Sequence, residues 1–426
     1  MNPQAPVDIA VIGAGAAGLM AAAVAAQEGA RVTLLEKNAK TGVKILMSGG
    51  TRCNITHDTN ARGIASAFGT AGRFLQPSLG RFPPASVVKL FHYLGVQTKV
   101  ESTGKVFPVS DRALHVRDAL EKHARQSGVD IQLKQGVRKI TPDSAGTADR
   151  PRWWIDTDQQ GRCFDRVIIT SGGRSWPGCG TTGDGYGWLG RLGHAIVRPR
   201  PALVPLVGGT GWMHDLSGLT LPDTVATVRR PDTKAPSKPL VQRRASWLFT
   251  HFGFSGPAAM DVSGVMTASE MKDVGLSLDL IPNVSNDHLR SLLQNRGGGR
   301  GRRMIASLLA EWLPQRLAEA ITRQCDAQVT LAELKRESMQ RLVSGLKQLT
   351  LPVHDTRGFG KAEVTAGGVS LSEVDPKTMA SRLHPGLYIA GEVLDVDGWI
   401  GGYNFQAAFS TGHAAGLAAA RDDGRA

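Results

Sequence analysis

Three glycines, Gly13, Gly15 and Gly18, fall within six positions directly after a short apolar run, Val7 to Ile12. A small-residue stretch, Ala16 to Gln27, follows them, and an acid, Glu36, closes the next apolar run, Arg31 to Leu35. Residues of these types at this spacing hold the diphosphate and ribose of a dinucleotide. The first glycine makes a tight turn, the second lets backbone approach a pyrophosphate, and the third lets a helix lie against a sheet. With Ala14, Ala16 and Ala17 set among the glycines, the helix start offers free N–H groups to phosphate, and Glu36 stands where an acid accepts hydrogen bonds from ribose hydroxyls.

The fingerprint by itself does not choose between a nicotinamide and a flavin dinucleotide. Two other glycine-rich segments do. GVKILMSGGTRCNIT, residues 42–56, offers backbone N–H groups, Lys44, Ser48 and Arg52 to a pyrophosphate and an attached ring. GEVLDVDGWIGGYNF, residues 391–405, ends a late apolar strand and opens a helix near Tyr403. A coenzyme whose adenine end lies on the first unit stretches toward such a strand, where an acid holds ribityl hydroxyls. The positive N-terminus of the following helix then faces the N1/C2 carbonyl edge of the ring, where negative charge gathers on reduction. The expected cofactor is FAD.

Other chemistries find no support. Cys53, Cys163, Cys179 and Cys325 lie far apart with no CxxC pair and no histidine at metal-ligand spacing, which argues against a metal site and a disulfide framework and fits a reducing cytoplasm. HExxH and a Walker lysine are absent, and GFSGP at 253–257 lacks the spacing of a nucleophile elbow. A second GxGxxG, at Gly178, Gly180 and Gly183, is separated from the strand-like VIIT by Trp176 and Pro177, and no acid stands near position 203 to take a ribose, so it reads as a loop. Any NAD(P)H donor is therefore expected as a transient visitor.

The elements that must position these residues follow from period. Strand, helix and strand alternate from Val7 to Leu35; VQTKVES and KVFPVS pair about a Thr103-Gly104 turn; a helix runs from Asp111, a candidate N-cap, to about Gln126; DIQLKQ and RCFDRVIIT read as more of a central sheet with an added antiparallel piece. From PRPALVPL, 199–206, short strands with Pro and Gly breaks give way to a helical stretch over 286–349, which reads as an inserted domain. The late strand and small-residue helix at 384–416 return to the first domain. The boundaries read are 1–190 and 355–426 for the FAD-binding domain and 191–354 for the insert.

With 426 residues and 41% hydrophobic content the chain is globular and long enough for two or three domains. No Lys or Arg precedes Arg31, Asp8 sits where a basic leader would stand, and three glycines interrupt the apolar opening, so it reads as neither export signal nor membrane span. The net charge of +13 and pI of about 9.8 point to an anionic partner, nucleic acid among them. The densest basic piece, Arg296 to Arg303, lies between two helical stretches and has the bland reading of a solvated loop.

The whole chain resembles the BaiN-like, or YhiN-like, flavoproteins, which include aminoacetone oxidases and dehydro-bile-acid reductases. The resemblance is carried by the fingerprint, GVKILMSGGTRCNIT, ESTGKVFPVSDRA, TTGDGYGWLGRLGH, PALVPL, FTHFGFSGPA and the long run from VTAGGVS to FSTG. It implies an α/β, Rossmann-like FAD-binding domain of the glutathione-reductase-like type, with an inserted domain of β-strands plus a helical subdomain. By the same resemblance Gly13, Gly15, Gly18 and Glu36 take the adenosine diphosphate. Lys37, Lys44, Ser48, Gly49, Gly50, Arg52, Cys53 and Asn54 line phosphate and flavin, with Ser171, Gly172 and Gly173 beside them. Val137 meets adenine through its backbone, and Gly391, Glu392, Asp397, Gly398, Gly401, Gly402, Tyr403 and Asn404 hold ribityl and ring. The chain departs from the family's usual residues at Thr51 (glycine), His57 (asparagine) and Ser171 (threonine).

Flavin supplies hydride chemistry, and the protein supplies orientation and protons. Candidate catalytic residues are Arg52, Lys105 in the GKVFP loop, His251 in FTHFGFSGP, and Tyr403. Arg52 has the rival role of neutralising phosphate and His251 that of a satisfied core or interface histidine. Cys53 beside Arg52 has the flank of a low-pKa redox thiol but no partner cysteine. The expected function is a cytoplasmic FAD-dependent oxidoreductase, with no membrane partner, that oxidises an amine or reduces an activated C=C bond of a small molecule. The alternatives are an RNA-binding or tRNA-modifying flavoprotein that uses its basic insert, and a flavoprotein without turnover.

Overall fold

The computed structural model describes residues 6–147, 152–231, 238–269, 271–295 and 300–421. The chain forms two compact units, Met1–Arg200 with Glu363–Ala426, and Pro201–Ala362, so the divisions fall later along the chain than 190 and 354. The paired strands Ile196–Ala202 and Val364–Val369 carry the chain out and back.

In the first unit β1 (Asp8–Ile12), buried along its whole length, is the middle strand of a five-stranded parallel sheet. The order is Leu387–Ile389, Arg166–Ile169, β1, β2 (Arg31–Glu36) and Asp130–Leu133. Continuous apolar runs suit strands covered on both faces. Chain order reverses between β1 and Arg166–Ile169, and the ends of those two strands deliver Gly13 and Ser171 to the same crevice. Such a switch point at the carboxyl ends of parallel strands is where α/β sheets bind ligands.

Helix α1 (Ala16–Gln27) packs along the C-terminal helix Tyr403–Arg421. A Cβ at Gly412 or Gly416 would lie 2.4 or 2.3 Å from the carbonyl oxygens of Ala17 and Ala21, so the two helices meet backbone to backbone. That explains why both segments are built of Ala and Gly. Two antiparallel three-stranded sheets complete the unit: Thr56–His57, Lys105–Pro108 and Thr98–Val100; and Val137–Pro142, Trp153–Thr157 and Gly161–Phe164.

Two expectations from the sequence fail in this unit. RCFDRVIIT is two strands: Gly161–Phe164 belongs to an antiparallel sheet and Arg166–Ile169 to the parallel one, with Asp165 between them accepting the Asp8 N–H at 2.8 Å. Asp111 is not a helix cap. The helix spans Ala113–Gln126 from Arg112, while Asp111, with φ 53°, turns its carboxylate to Arg52 and Lys99. Ion pairing across the fold wins over a local cap.

Behind the sheet, Glu373 Oε2 lies 3.1 Å from His194 Nδ1, and His194 Nε2 lies 3.0 Å from Ser381 Oγ. The Ser381 hydroxyl also accepts the N–H groups of Leu383 and His384. It is therefore a turn brace before Leu387–Ile389 rather than an exposed nucleophile.

The second unit is a seven-stranded sheet, in the order Leu349–Leu351, Gly275–Asp279, Thr220–Arg229, Val241–Thr250, Gly253–Ser255, Leu206–Gly208, Val353–Thr356, with every pair antiparallel. Trp247, Phe249 and Phe254 fill its core with leucines from helices such as Gln315–Gln324 and Arg336–Lys347. Within Arg296–Arg303, residues 296–299 lie outside the described residues; Arg300–Arg302 make one 3₁₀ turn, and Arg303 pairs with Glu311 at 2.8 Å. No helix among the described residues is long and apolar enough to cross a membrane. The cysteines are free, and among the described residues no cluster of His, Cys, Asp and Glu could hold a metal.

Candidate flavin site

Local geometry at the fingerprint follows from its residue types. Gly13 turns with φ 102°, and a Cβ on Gly18 would lie 1.9 Å from the Gly13 carbonyl, so only glycine lets α1 start there. A Cβ at Gly15 would meet nothing within 4 Å: backbone faces open space at the first turn of α1, where Ala16, Ala17 and Gly18 present helix N–H groups. Glu36, 8% exposed, accepts the Ala14 N–H and the Asn38 N–H at 2.8 Å each, which holds the acid beside the glycines. Gln135 N–H bonds the Glu36 carbonyl and brings Val137 to the same edge.

The segment after β2 forms a short helix, Val43–Met47, and then a left-handed loop. Gly49, Gly50, Thr51 and Cys53 all have φ between 54° and 70°, a path costly for the two residues with side chains. The loop is held on both sides: Ala113 N–H bonds the Thr51 carbonyl, and Cys53 N–H bonds that of Ser48, whose hydroxyl donates to Ile45. The Arg52 guanidinium lies 4.0 Å over the Phe107 ring and bonds Glu101 at 2.5 Å and Asp111 at 2.8 Å. Arg52 is thus occupied by two carboxylates as the protein stands. Cys53 is fully buried, and burial pushes its thiol up to about 12, the reverse of an activated thiol. Asn54 is buried beside it, its Oδ1 without a hydrogen-bond partner among the described residues.

Lys44 reaches across to the late segment. Its ammonium bonds Glu392 and Ser175 at 2.5 Å each, and Glu392 also accepts the Ser175 hydroxyl and the Thr365 N–H at 2.9 Å. Gly173 packs on Thr365 and Glu392 where a side chain would collide, after Ser171, whose buried hydroxyl has no hydrogen-bond partner among the described residues, and Gly172. Lys37 instead pairs with Asp184 and Thr182 at 2.6 Å. The second glycine triplet supplies that partner: it is a 3₁₀ turn, Pro177–Cys179, leading into the short helix Asp184–Arg191, with no strand entering it.

Early and late segments meet at the start of the C-terminal helix. A Cβ on Gly402 would lie 2.4 Å from the Thr56 carbonyl, and Thr56 Oγ1 donates to the fully buried Gln406 at 2.6 Å. His57 stacks on Tyr403 with ring centroids 4.6 Å apart and 20° between planes, and its Nδ1 lies 3.0 Å from the Gly401 carbonyl. Lys105 is the residue opposite His57 on the neighbouring strand. Asn404 closes the turn by accepting the Gly398 N–H and donating to the Gly398 carbonyl. Gly391, at φ 79°, faces Ala17 of α1. Asp397 makes no hydrogen bond or ion pair among the described residues; burial first, then Asp395, pushes its carboxyl up to about 6, against the pull of Arg200.

His251 lies in the second unit, exposed between Val241–Thr250 and Gly253–Ser255. Sequence reasoning assigns no role to Glu101, Asp111, Phe107, Ser175, Thr365 and Gln406 in this site, all partners from distant elements. His57 carries a signal, as a departure from asparagine, but the departure alone assigns it no function.

These residues fit FAD. Open backbone at Gly15 and Gly50, a helix start free for phosphate, a buried acid at the ribose position and an unpartnered acid in the late segment are the features a flavin dinucleotide needs.

A family profile described as the HI0933-like protein Rossmann domain matches residues 7–418. The chain is 32% identical over 405 residues to the ribosomal RNA dihydrouridine synthase of Escherichia coli (strain K12), covering 95% of this chain and 96% of that one. It is 31% identical over 421 residues to the 3-dehydro-bile acid delta(4,6)-reductase of Clostridium scindens, covering 97% and 98%. Among solved structures, the 3-ketosteroid delta1-dehydrogenase of Sterolibacterium denitrificans shares the fold, with TM-score 0.50 and 13% identity over 97% of this chain and 99% of that one.

Proposed function

The chain belongs to the HI0933-like family and is an FAD-dependent oxidoreductase, and we propose that it reduces a carbon–carbon double bond conjugated to a carbonyl group. The observation that carries this reading is the pair of relatives aligned along nearly the whole chain: each is named for saturating such a bond, one in a uracil ring and one in a steroid. FAD, when bound, supplies the hydride. Gly13 to Gly18 and Glu36 would hold the adenosine diphosphate, the Gly49–Asn54 loop and Glu392 the central part, and Asp397 and the Gly401–Asn404 turn the ribityl chain and ring. The helix start after Gly402 places positive partial charge at that turn, which favours a ligand that gains negative charge. Electrons come from a nicotinamide donor binding from solution, since the second glycine triplet forms no dinucleotide module.

A small conjugated ketone is the simpler acceptor. RNA is the second reading, favoured by the net charge of +13 and the relative that acts on ribosomal RNA. The test is anaerobic. Protein reconstituted with FAD is reduced with NADH or NADPH and then offered enones, uridine-containing RNA and amines. Reoxidation by an enone or by RNA supports the proposal; bleaching of oxidised enzyme by an amine, with no reoxidation by either acceptor, overturns it. Charge-driven RNA binding should weaken steeply as salt rises, and RNA binding that does not respond to salt contradicts the second reading.

A further inference from the structure

We propose that Arg52 is a positioning residue: clamped by Glu101 and Asp111, it holds the loop Gly49–Asn54 in the left-handed path that receives the flavin, against the preference of Thr51. This rests on the reading above that the loop lines FAD. Among the described residues eight other than glycine have positive φ, and three of them, Thr51 at 70°, Cys53 at 60° and Asp111 at 53°, flank or form this one clamp. Thr51 is the most strained of the three, because a β-branched side chain fits the left-handed region worst. A residue persists there only where its surroundings over-determine it.

Those surroundings grip the loop on both sides of Thr51. Its carbonyl accepts the Ala113 N–H at 2.8 Å. Arg52 Nε donates to Asp111 Oδ1 at 2.8 Å, and a terminal nitrogen of the same guanidinium donates to Glu101 Oε1 at 2.5 Å. The guanidinium carbon lies 4.0 Å from the centre of the Phe107 ring, and a Cβ on Gly49 would stand 3.3 Å from the edge of that ring. One aromatic ring therefore supports the loop at Gly49 and at Arg52. Lys99 also bonds Asp111, and the two cations, Lys99 first, hold its carboxyl below the usual carboxylate range, so it is charged at neutrality. Lys99 and Phe107 belong to the paired strands Thr98–Val100 and Lys105–Pro108, and Glu101 to the turn between them. The second of these strands also pairs with Thr56–His57, which follows the loop.

The clamp adds little to overall stability, since the side chains of Arg52, Glu101 and Asp111 are 34%, 36% and 40% exposed and ion pairs of that exposure are weak. Its effect falls on the fraction of molecules whose loop is ready for FAD, and apparent affinity drops in proportion to that fraction. Glycine at position 51 would take the same path without strain, so the clamp should matter less in its presence.

The test measures FAD and ADP affinity of the apoprotein for wild type, Arg52→Lys, Glu101→Gln, Thr51→Gly, and each clamp variant combined with Thr51→Gly. Lysine keeps the charge but cannot hold two carboxylates in one rigid fork. Arg52→Lys and Glu101→Gln should each weaken FAD binding about tenfold, as loss of a hydrogen bond between charged groups does, while ADP affinity and melting temperature stay near wild type. Thr51→Gly should change FAD affinity little by itself and restore most of the loss in the combined variants. Without any flavin, Cys53, sealed in wild type, should react faster with a thiol reagent in the clamp variants, as peptide mapping reads. Unchanged FAD affinity in both clamp variants, or an equal loss with and without Thr51→Gly, overturns the proposal. So does a joint fall in melting temperature, ADP affinity and FAD affinity, which a merely structural ion pair would give. Wild type that binds FAD no more tightly than ADP means instead that the reading of the loop as part of the flavin site has failed.

Discussion

Asp397, in the proposed flavin site, works against the stability of the protein that carries it. Its carboxyl is raised to about 6 in the folded chain, so the protonated form is favoured on folding. That contribution is complete below about pH 4, the unfolded range, and is lost as pH climbs through 6. At pH 7 the ionised, unpartnered carboxylate opposes folding. Asp397→Asn should therefore raise the melting temperature of the apoprotein at pH 7 by a few degrees and weaken FAD binding; a lower melting temperature in scanning calorimetry would contradict a destabilising role for the half-buried carboxylate. At Cys53, burial predicts no reaction with a thiol reagent at pH 8 in the folded protein and full reaction in denaturant, and rapid native labelling counts against it. The glycines, Glu36 and the two later segments are legible in the sequence because they are local patterns. The partners of Arg52 are not, since Glu101 and Asp111 reach it only once three strands have paired.

Helix α1 and the C-terminal helix are set by how closely their backbones approach. The composition of both, rich in Ala and Gly with no marked polar face, predicts burial but does not say which helix meets which. The carbonyls of Ala17 and Ala21 against Gly412 and Gly416 settle it. Gly416→Ala should cost about 1–3 kcal/mol in chemical denaturation, as overpacking does, and Gly416→Val more. A neutral Gly416→Val would mean that the helices are not in backbone contact. RCFDRVIIT shows the opposite case: a continuous apolar run hides a break at Asp165, because alternation with period two and full burial look alike over a few residues. The Asp111 cap failed for an electrostatic reason, as the carboxylate finds two cations instead of a helix N–H.

Across the whole molecule, His123, His194 and His413 are each held below the ordinary histidine range, chiefly by burial. A depressed folded pKa means the unfolded chain binds more protons. Stability from these groups is full above about pH 6.5 and is lost as pH falls through their folded values. With the opposing Asp397 removed by Asp397→Asn, urea midpoints should drop between pH 7 and pH 5, and a flat profile in that variant would contradict the buried neutral assignment. The strand–helix–strand opening and the return of the chain after the insert are legible from period alone. The antiparallel order of the insert is not, because its strands carry no sign of their partners. The central claim is that segments distant in sequence, at Gly15, at Gly49–Asn54 and at Asp397–Tyr403, share one flavin. Titration of apoprotein with FAD, followed by flavin fluorescence, tests it most directly. The account predicts that wild type binds one FAD per chain and that Gly15→Asp and Gly402→Val, at opposite ends of the site, each abolish binding. Binding of FAD at wild-type affinity by either variant, with the fold intact by circular dichroism, would contradict it.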